Sequence, residues 1–169
     1  MGFKKVDVKT LEMKPFEKIG SEWMLISAAK DGKANTMTAS WGGIGVLWGK
    51  NVATVYIRPQ RHTKEFVDAG DTFTISFFGG EHMKELGYLG KVSGKDVPDK
   101  IEQSGLHLTE VDGQPGFEEA TQVLVCKKLY AQPMDPAGFV DKALDSRWYP
   151  DKDYHKMFVG EVIKVLVKE

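Results

Sequence analysis

Residues 23–41, WMLISAAKDGKANTMTASW, contain the clearest fold signal in the chain. Two runs of β-prone residues, 23–29 and 34–41, lie on either side of the dipeptide Asp31-Gly32. An Asp-Gly pair between such runs favours a tight turn in which both central residues have positive φ. The stretch therefore predicts a β-hairpin, and a sheet protein built around it.

The rest of the chain alternates short strands with short helices. Strands are predicted where β-branched and aromatic residues lie between turn residues, at 52–58, 72–78, 106–111, 121–130 and 158–167. Short helices are predicted at 63–69 with Thr63 as N-cap and Gly70 at its end, at 81–88, and from Pro98 to residue 103. Residues 42–51, GGIGVLWGKN, are expected to form a glycine-rich loop, as are the later DGQPG and QPMDP. About seven strands and three or four short helices argue for a mainly β sheet closed into a barrel, not a parallel sheet with long crossover helices.

Length and charge limit the size of the protein and the ligands it can attract. A chain of 169 residues, 41% of them hydrophobic, is about one domain's worth, so a single domain over residues 1–169 is expected. Lys plus Arg total 23 and Asp plus Glu total 24, which leaves a net charge of -1. No broad field then attracts nucleic acid or anionic lipid, and a charged ligand must be held by a few local residues.

Cysteine content and the first residues indicate the compartment. Cys126 is the single cysteine of the chain, so an internal disulfide framework and any CxxC site are excluded, which fits a reducing cytoplasm. The opening MGFKKVDVK has no apolar core, and no apolar run approaches the roughly 18 residues of a membrane span. We expect a cytoplasmic protein without a signal peptide. In VLVCKK, Cys126 is expected to be a packed core thiol and not a nucleophile.

Glycine and histidine motifs do not point to a nucleotide fingerprint or a metal. GGIGVLWG breaks the GxGxxG spacing, and GKVSGKD has the wrong spacing for a P-loop. The histidines show no HxxxH or HExxH pairing, so no metal site is expected. Three of them, His62, His82 and His107, are expected to have structural or surface roles.

Three segments have chemistry suited to a planar, phosphorylated ligand. In NTMTASW, residues 35–41, small hydroxyls near a glycine-rich turn can approach a planar cofactor, although a plain surface strand would look the same. In RPQRHT, residues 58–63, two guanidinium groups stand at a strand-to-helix junction, which suits a phosphate unless both arginines are simply solvated. VSGKD, residues 92–96, adds a hydroxyl and an ammonium, but alone it is only a loop.

Taken together, the segments resemble the flavin reductase-like proteins. The ordered set runs from about Phe16 to Leu166 and comprises NTMTASWGGIGVLWGK, RPQRHTKEF, TISFF with LGYLGKVSGKD, VLVCKKLY and WYPDKDYHKMFVGEVIKVL. The resemblance implies an FMN-binding split β-barrel of Greek-key type with short helices. It also implies a homodimer with FMN near the subunit interface. The chain departs from many relatives at Leu89, where they have cysteine in GYCG, so a redox thiol at this position is excluded.

The resemblance further implies which residues bind FMN. The flavin is expected to be bordered by residues of the first hairpin, namely Asn35, Thr36, Met37, Thr38, Ser40 and Trp41. The phosphate is expected at a second set, Arg58, Arg61 and Thr63, with Ser93, Gly94 and Lys95 from the next loop. His155 is expected either to reach the flavin face or the nicotinamide, or to be a hydrogen-bonded histidine at the mouth of the last strand.

The function implied is an FMN-dependent flavin reductase that takes hydride from NADH or NADPH. It would supply reduced flavin or electrons to a partner, such as an electron-accepting protein or a monooxygenase. Because the flavin itself accepts the hydride, no catalytic triad or carboxylate pair is needed. Two alternatives stay open: a flavoredoxin-like carrier with tightly bound FMN, and a non-enzymatic split-barrel binding module.

Overall fold

The computed structural model describes residues 2–169, and ten strands and five α-helices lie in this range. The strands are β1 (Phe3–Val6), β2 (Met24–Lys30), β3 (Lys33–Ala39), β4 (Gly42–Leu47), β5 (Lys50–Ile57), β6 (Thr72–Phe77), β7 (Leu108–Val111), β8 (Gln114–Phe117), β9 (Gln122–Pro133) and β10 (Lys156–Lys168). The α-helices are α1 (Pro15–Gly20), α2 (His62–Ala69), α3 (Met83–Lys91), α4 (Lys100–Ser104) and α5 (Lys142–Trp148). Two 3-10 helices cover Val8–Thr10 and Pro136–Gly138.

Eight strands form one antiparallel sheet in the order β3-β2-β6-β9-β10-β5-β4, with β1 also paired to β10. The hairpin predicted around Asp31-Gly32 is confirmed. It joins β2 to β3, and its two turn residues have φ of 52° and 74°, as a tight two-residue turn requires. A second hairpin, β4-β5, forms the opposite edge, while β7 and β8 form a separate two-stranded sheet.

The sheet is curled so that its two edge strands approach each other. Within the described residues β3 and β4 do not pair, yet only Ser40 and Trp41 separate them in the chain. Three Cα-to-Cα steps span at most about 11 Å, so the ends of the two edges must lie close together. The fold is therefore a mainly β split barrel with short helices, as predicted, and its open seam lies at Ser40 and Trp41.

The apolar core consists of two clusters on opposite faces of the sheet. Successive strand residues point to opposite sides, so Leu124 and Cys126 join one cluster while Val123 and Val125 join the other. Cys126 is fully buried, and burial raises the pKa of its thiol, which confirms it as a core residue. Leu89 is also fully buried, in the second cluster.

The expectation of a glycine-rich loop over residues 42–51 is wrong. Residues Gly42–Leu47 form β4, and the turn is confined to Trp48 and Gly49. A Cβ atom at Gly42 would lie 2.9 Å from the carbonyl oxygen of Thr54 and 3.0 Å from Cε of Met24. The glycine thus permits a close approach between strands, which the local sequence does not reveal.

Helix ends and several short elements also differ from the predictions. Helix α2 begins at His62 with Arg61 as its N-cap, so Thr63 is not the cap, whereas Gly70 ends the helix as predicted. DGQPG and QPMDP are not simply loops, because β8 takes in part of the first and β9 extends into the second. The helices predicted at 81–88 and 98–103 lie at Met83–Lys91 and Lys100–Ser104. Elements β1, α1 and α5 were not predicted, because they have only four, six and seven residues and show no clear period.

In residues 2–169 there is no helix with both the length and the apolar character needed to cross a bilayer.

Candidate functional site

Two adjoining cavities lie beside the seam of the barrel. We call the first, of about 330 Å³, the cationic pocket; its walls are formed by Asn35, Met37, Arg58, Gln60, Arg61, His62, Thr63, Lys91, Val92, Ser93, Gly94 and Lys100. We call the second, of about 260 Å³, the aromatic pocket; its walls are formed by Met37, Thr38, Ala39, Ser40, Trp41, Tyr56, Arg58, Arg61, Trp148 and His155. Met37, Arg58 and Arg61 belong to both, so the two pockets meet along these side chains.

A more apolar cleft continues from the aromatic pocket. It has a volume of about 590 Å³ and shares Ser40, Trp41, Tyr56 and His155 with that pocket. Its outer wall includes Phe16, whose side chain is almost fully exposed. The aromatic pocket therefore has an apolar opening on one side and the cationic pocket on the other.

Strand β3 supplies one wall of both pockets. Asn35 is buried and donates from Nδ2 to Thr63 Oγ1 at 2.9 Å, which ties β3 to the first turn of α2. Thr36 is different, because its hydroxyl lies 2.8 Å from Ser27 Oγ and donates to the carbonyl of Ile26. Of the predicted hairpin residues, Asn35, Met37, Thr38, Ser40 and Trp41 thus line the pockets, and Thr36 faces away from them.

The two arginines of RPQRHT have different electrostatic surroundings. Arg58 pairs with Asp153 at 2.7 Å, donates to the carbonyl of Trp148 at 3.0 Å, and stacks over the Tyr149 ring at 4.9 Å. Arg61 donates to the carbonyl of Gly90 and, within residues 2–169, has no carboxylate within 4.0 Å. Burial, together with the charge of Arg58, lowers the pKa of Arg61. Of these two arginines, Arg61 is thus the one whose charge no described carboxylate compensates.

The loop after α3 approaches β3 at a glycine. A Cβ atom at Gly94 would lie 2.5 Å from Asn35 Oδ1 and 3.2 Å from His62 Cδ2, so a larger residue would force these side chains aside. Ser93 lines the cationic pocket, and its Oγ accepts a hydrogen bond from the backbone N–H of Lys95 at 3.2 Å. The loop therefore places a hydroxyl and exposed backbone at the pocket wall.

Lysine 95 does not lie in the cationic pocket. Its side chain is 62% exposed and pairs with Glu65 at 2.9 Å, an interaction that lowers the pKa of this carboxyl. The position expected for Lys95 is occupied instead by Lys100, the first residue of α4. Sequence reasoning missed Lys100, because a lysine after Pro98-Asp99 at a helix start is typical of an exposed surface.

His155 is both a hydrogen-bonded histidine and a wall of the pocket. It is 7% exposed, its Nδ1 lies 2.6 Å from the Tyr149 hydroxyl, and its ring lies 5.2 Å from that of Trp41. Burial, followed by the charge of Arg58, lowers its pKa to about 4. The imidazole is therefore neutral near pH 7. Sequence reasoning missed its neighbours Tyr56 and Trp148, which come from separate parts of the chain.

The other histidines have separate environments. His107 is exposed and pairs with Glu119 at 2.6 Å, and His82 precedes α3 with φ of 59°. His62 was expected to be structural or at the surface, but it lines the cationic pocket. Within residues 2–169 no cluster of three or more His, Cys, Asp or Glu side chains could hold a metal ion.

The pockets have complementary chemistry. The described lining of the cationic pocket contains no Asp or Glu, so it suits an anion. The aromatic pocket is bounded by Trp41, Tyr56 and Trp148 and suits a flat ring system. The joined site fits a ligand with an anionic group at one end and a planar group at the other.

Comparison with known proteins gives a consistent result. A sequence model described as "Flavin reductase like domain" matches residues 16–169. A 100-residue stretch is 27% identical to an uncharacterized protein of Aeropyrum pernix and covers 58% of this chain but only 38% of that protein.

Solved structures share the fold. The FMN-binding domain of a flavin reductases-like enzyme from Shewanella baltica superposes with a TM-score of 0.71 at 21% identity, covering 98% of this chain and 77% of that chain. Flavoredoxin from Methanosarcina acetivorans gives 0.68 at 21% identity, over 87% and 68%. An NADH:FAD oxidoreductase from Streptomyces globisporus gives 0.64 at 16% identity, over 86% and 74%.

Proposed function

This chain belongs to the flavin reductase-like family, and we propose that it is an FMN-binding oxidoreductase that transfers hydride from NADH or NADPH to the flavin. It then supplies reduced flavin, or electrons, to a partner. The observation that supports this function is the junction of the cationic and aromatic pockets along Met37, Arg58 and Arg61. FMN has one phosphate and one planar ring system, which match the two ends of this joined site.

The residues of the cationic pocket would hold the phosphate of FMN. Arg61 contributes an uncompensated charge, and Thr63 and Ser93 contribute hydroxyl groups. Gly94 allows the loop to approach closely enough to offer its backbone. Arg58 is held by Asp153, so its main role is to orient the wall shared by the two pockets.

The aromatic pocket and its β3 wall would hold the ring of FMN. This strand is at the edge of the sheet, and within residues 2–169 it pairs only with β2, so alternate backbone N–H and C=O groups can serve a ligand. Thr38 and Ser40 add hydroxyls, and Trp41 adds a flat surface. Together they supply the donors, acceptors and dry wall that a flavin ring requires.

The chemistry of hydride acceptance is supplied by FMN when it is bound. The protein binds and orients the reactants and excludes water. His155 stays neutral beside the ring, because its pKa lies near 4 and its Nδ1 is held by the Tyr149 hydroxyl. It therefore adds no positive charge that would compete with the phosphate site for the anionic end of the ligand.

Anaerobic reduction of the purified protein tests the proposal. FMN is added, its binding is followed by absorbance and fluorescence, and NADH or NADPH is then mixed in without oxygen. Loss of the flavin absorbance band, followed by reduction of added free flavin, is the expected result. Failure to bind FMN would overturn the proposal and leave the non-enzymatic binding module.

A flavoredoxin-like electron carrier is the second candidate. It is favoured by the similarity to two flavoredoxins, from Methanosarcina acetivorans and from Desulfovibrio vulgaris, with TM-scores of 0.68 and 0.67. Such a carrier would keep FMN through gel filtration and would be reduced by NADH or NADPH only slowly. The anaerobic experiment therefore distinguishes the two functions by rate.

We also propose a homodimer with FMN near its interface, in a reducing cytoplasm. The β4-β5 hairpin exposes Val46 (74%) and Trp48 (57%) at a free sheet edge, and its Gly42 and Gly43 border the apolar cleft next to the aromatic pocket. A second copy of the chain would cover these apolar groups. Sedimentation of the wild type and of Trp48→Glu checks this assembly: a dimer that the substitution weakens is expected.

A further inference from the structure

Tyr149 and His155 form a buried hydrogen-bonded pair at the wall of the candidate site. The Tyr149 hydroxyl lies 2.6 Å from His155 Nδ1, and both residues are buried. The imidazole borders the aromatic pocket and the apolar cleft. Its other ring nitrogen, Nε2, has no hydrogen-bond partner within residues 2–169, and the fold does not enclose this atom completely. Nε2 is therefore the polar atom that His155 offers to a ligand.

The position of one proton decides what Nε2 can do. Burial, followed by the charge of Arg58, lowers the pKa of His155 to about 4, whereas burial raises the pKa of Tyr149. Near pH 7 the imidazole thus holds a single proton and the hydroxyl keeps its own. With the proton on Nε2, His155 is a donor toward the site. With the proton on Nδ1, Nε2 is an acceptor instead.

The geometry of the pair favours Tyr149 as the donor. Bonds from N–H to oxygen usually measure about 2.9–3.0 Å, and O–H donors form shorter bonds of about 2.7–2.8 Å, so the observed 2.6 Å fits an O–H donor. In the opposite arrangement Nδ1–H would donate to the hydroxyl oxygen, and the hydroxyl would turn to Met134 Sδ at 3.5 Å. A thioether sulfur is a weak acceptor, so the first arrangement forms the stronger bond.

Arg58 strengthens this preference. Its guanidinium lies 4.9 Å from the centroid of the Tyr149 ring and is held by Asp153 and by the carbonyl of Trp148. A positive charge over a phenol ring draws electron density from the oxygen. The hydroxyl then becomes a better donor and a poorer acceptor.

We propose that Tyr149 is a positioning residue that holds His155 as the tautomer protonated on Nε2, so that the imidazole offers a neutral N–H donor to a carbonyl oxygen of the reactant. The identity of this reactant rests on the proposed function: it is the nicotinamide ring, whose carboxamide has such an oxygen. The adjoining cleft supports an uncharged group, because its described lining contains no Asp, Glu, Lys or Arg.

A purely structural role for the Tyr149–His155 bond predicts a different result. If the bond only stabilised the fold, its direction would not matter to the reactant, and loss of the hydroxyl would lower stability alone. If it orients the proton of His155, loss of the hydroxyl changes the tautomer. It also changes how well the protein distinguishes a carbonyl from a poorer hydrogen-bond acceptor.

The first experiment observes the tautomer in the full chain without a nucleotide. The histidine ring nitrogens are labelled and followed by NMR at pH 7, with His155→Phe to assign the signals. A proton on Nε2 is expected in the wild type, and Tyr149→Phe should move both ring signals toward those of a histidine that exchanges its tautomers. A wild-type proton on Nδ1, or unchanged ring signals in Tyr149→Phe, would overturn the proposal.

Tyr154→Phe is the matched control for this measurement. It removes a neighbouring hydroxyl that lies 2.7 Å from Asp145 Oδ1, and Tyr154 lines neither the aromatic pocket nor the apolar cleft. The rings of Tyr154 and Tyr149 lie 4.9 Å apart, so the control also tests for a general disturbance of the packing. The His155 signals are expected to stay unchanged in this variant.

The second experiment measures the dissociation constants of the reduced nicotinamide nucleotide and of its thionicotinamide analogue. Both come from the saturation of the anaerobic rate of FMN reduction, which separates binding from the hydride step. The wild type should prefer the carbonyl compound by about tenfold, the value of one hydrogen bond. His155→Phe should lower this preference to less than about twofold, and Tyr149→Phe to about threefold. An equal preference in the wild type and His155→Phe would overturn the carbonyl contact.

The two experiments separate failure of the inference from failure of the proposed function. A wild type that has the proton on Nε2 but is reduced by neither nucleotide would sink the reductase function and still support Tyr149 as the residue that positions His155. Normal reduction with the same nucleotide preference in all variants would overturn only the inference.

Discussion

The cationic pocket and the aromatic pocket share three side chains but obtain their properties in opposite ways. In the cationic pocket, Arg61 and Lys100 are held by backbone carbonyls, and no carboxylate is present in the described lining. In the aromatic pocket, rings support one another: Trp41 lies 5.0 Å from Trp148 and 5.2 Å from His155, measured between centroids. One pocket gathers cationic side chains for a ligand, and the other offers rings and shares only the cations Arg58 and Arg61 with it.

Arg58 and Arg61 show the same difference at the level of single residues. They are three positions apart in RPQR, but among the described residues only Arg58 reaches a carboxylate, that of Asp153. The ion pair of Arg58 with Asp153 links the end of β5 to the segment before β10. Arg61 turns toward the end of α3 and keeps its charge for the pocket. Two arginines in one motif therefore have different functions, since a carboxylate lies beside only one of them.

Removal of Arg61 is expected to have the largest effect, through the charge that this residue contributes to the cationic pocket. Arg61→Ala should lower the affinity for FMN by about 100-fold, because charge-assisted hydrogen bonds to the phosphate are lost. The affinity for riboflavin should change little, and the circular dichroism spectrum should be that of the wild type. Lys127→Ala, at an exposed position of β9, is the control. Retained FMN affinity in Arg61→Ala would show that the two pockets do not divide the ligand in this way.

A lower pH is expected to have the second-largest effect, on the folding stability that depends on neutral His155. His155 has a pKa near 4 in the folded protein and near 6.5 when unfolded, so only the unfolded chain gains a proton between these values. The stability that this residue contributes is therefore complete above pH 6.5 and is lost as pH falls toward 4. At pH 5 the loss is about 2 kcal/mol.

Urea unfolding at pH 7 and pH 5 measures this loss. The decrease in the free energy of unfolding is expected to be smaller in His155→Gln than in the wild type, because glutamine does not titrate. Equal decreases in the two proteins would mean that His155 is not kept neutral by its environment.

Removal of the Trp41 ring is expected to weaken both flavins to a similar extent. Trp41→Ala should lower the affinities for FMN and riboflavin by about tenfold each, the value of one aromatic contact. This pattern is the opposite of that expected for Arg61→Ala. Val140→Ala is the control, since the Val140 side chain is exposed and lines neither pocket. A selective loss of FMN in Trp41→Ala would contradict the division between the pockets.

The smallest effect is expected from a single added methyl group. Gly94→Ala places Cβ against Asn35 Oδ1, which should disturb the Asn35–Thr63 hydrogen bond and lower FMN affinity about fivefold. Gly87→Ala is the control, because no atom lies within 4 Å of the corresponding Cβ position in α3. Fluorescence titration of both variants compares them directly, and equal affinities would argue against a close approach of the loop to the ligand.

The predictions from sequence were most accurate where structure depends on neighbours in the chain. The Asp31-Gly32 hairpin was correct in position and turn type, because two adjacent residues with positive φ determine it. The β4 strand was missed, because the role of Gly42 depends on Thr54 and Met24 from other strands. The helix start at His62 was missed by one residue, since Thr63 bonds to a distant asparagine and not to its own helix.

The segments that line the candidate site were also predicted in part. The segments with Asn35, Arg61 and Gly94 come together as the resemblance implied. Thr36 and Lys95 were included because their residue types fit, but Ser27 and Glu65 engage their side chains elsewhere. Lys100 was missed, because burial of a lysine depends on the turn that covers it.

Turn residues, strand periodicity and the order of the motifs are properties of the chain itself, and they were sufficient to indicate a mainly β barrel and its family. The distribution of charge in the site has a different origin. It depends on which cation lies next to a carboxylate and which next to a carbonyl, and folding brings these groups together from distant positions: Arg58 meets Asp153, while Arg61 and Lys100 meet the end of α3. Coulomb interactions depend on distance and burial and not on order in the chain, so only the folded arrangement distinguishes these otherwise similar side chains.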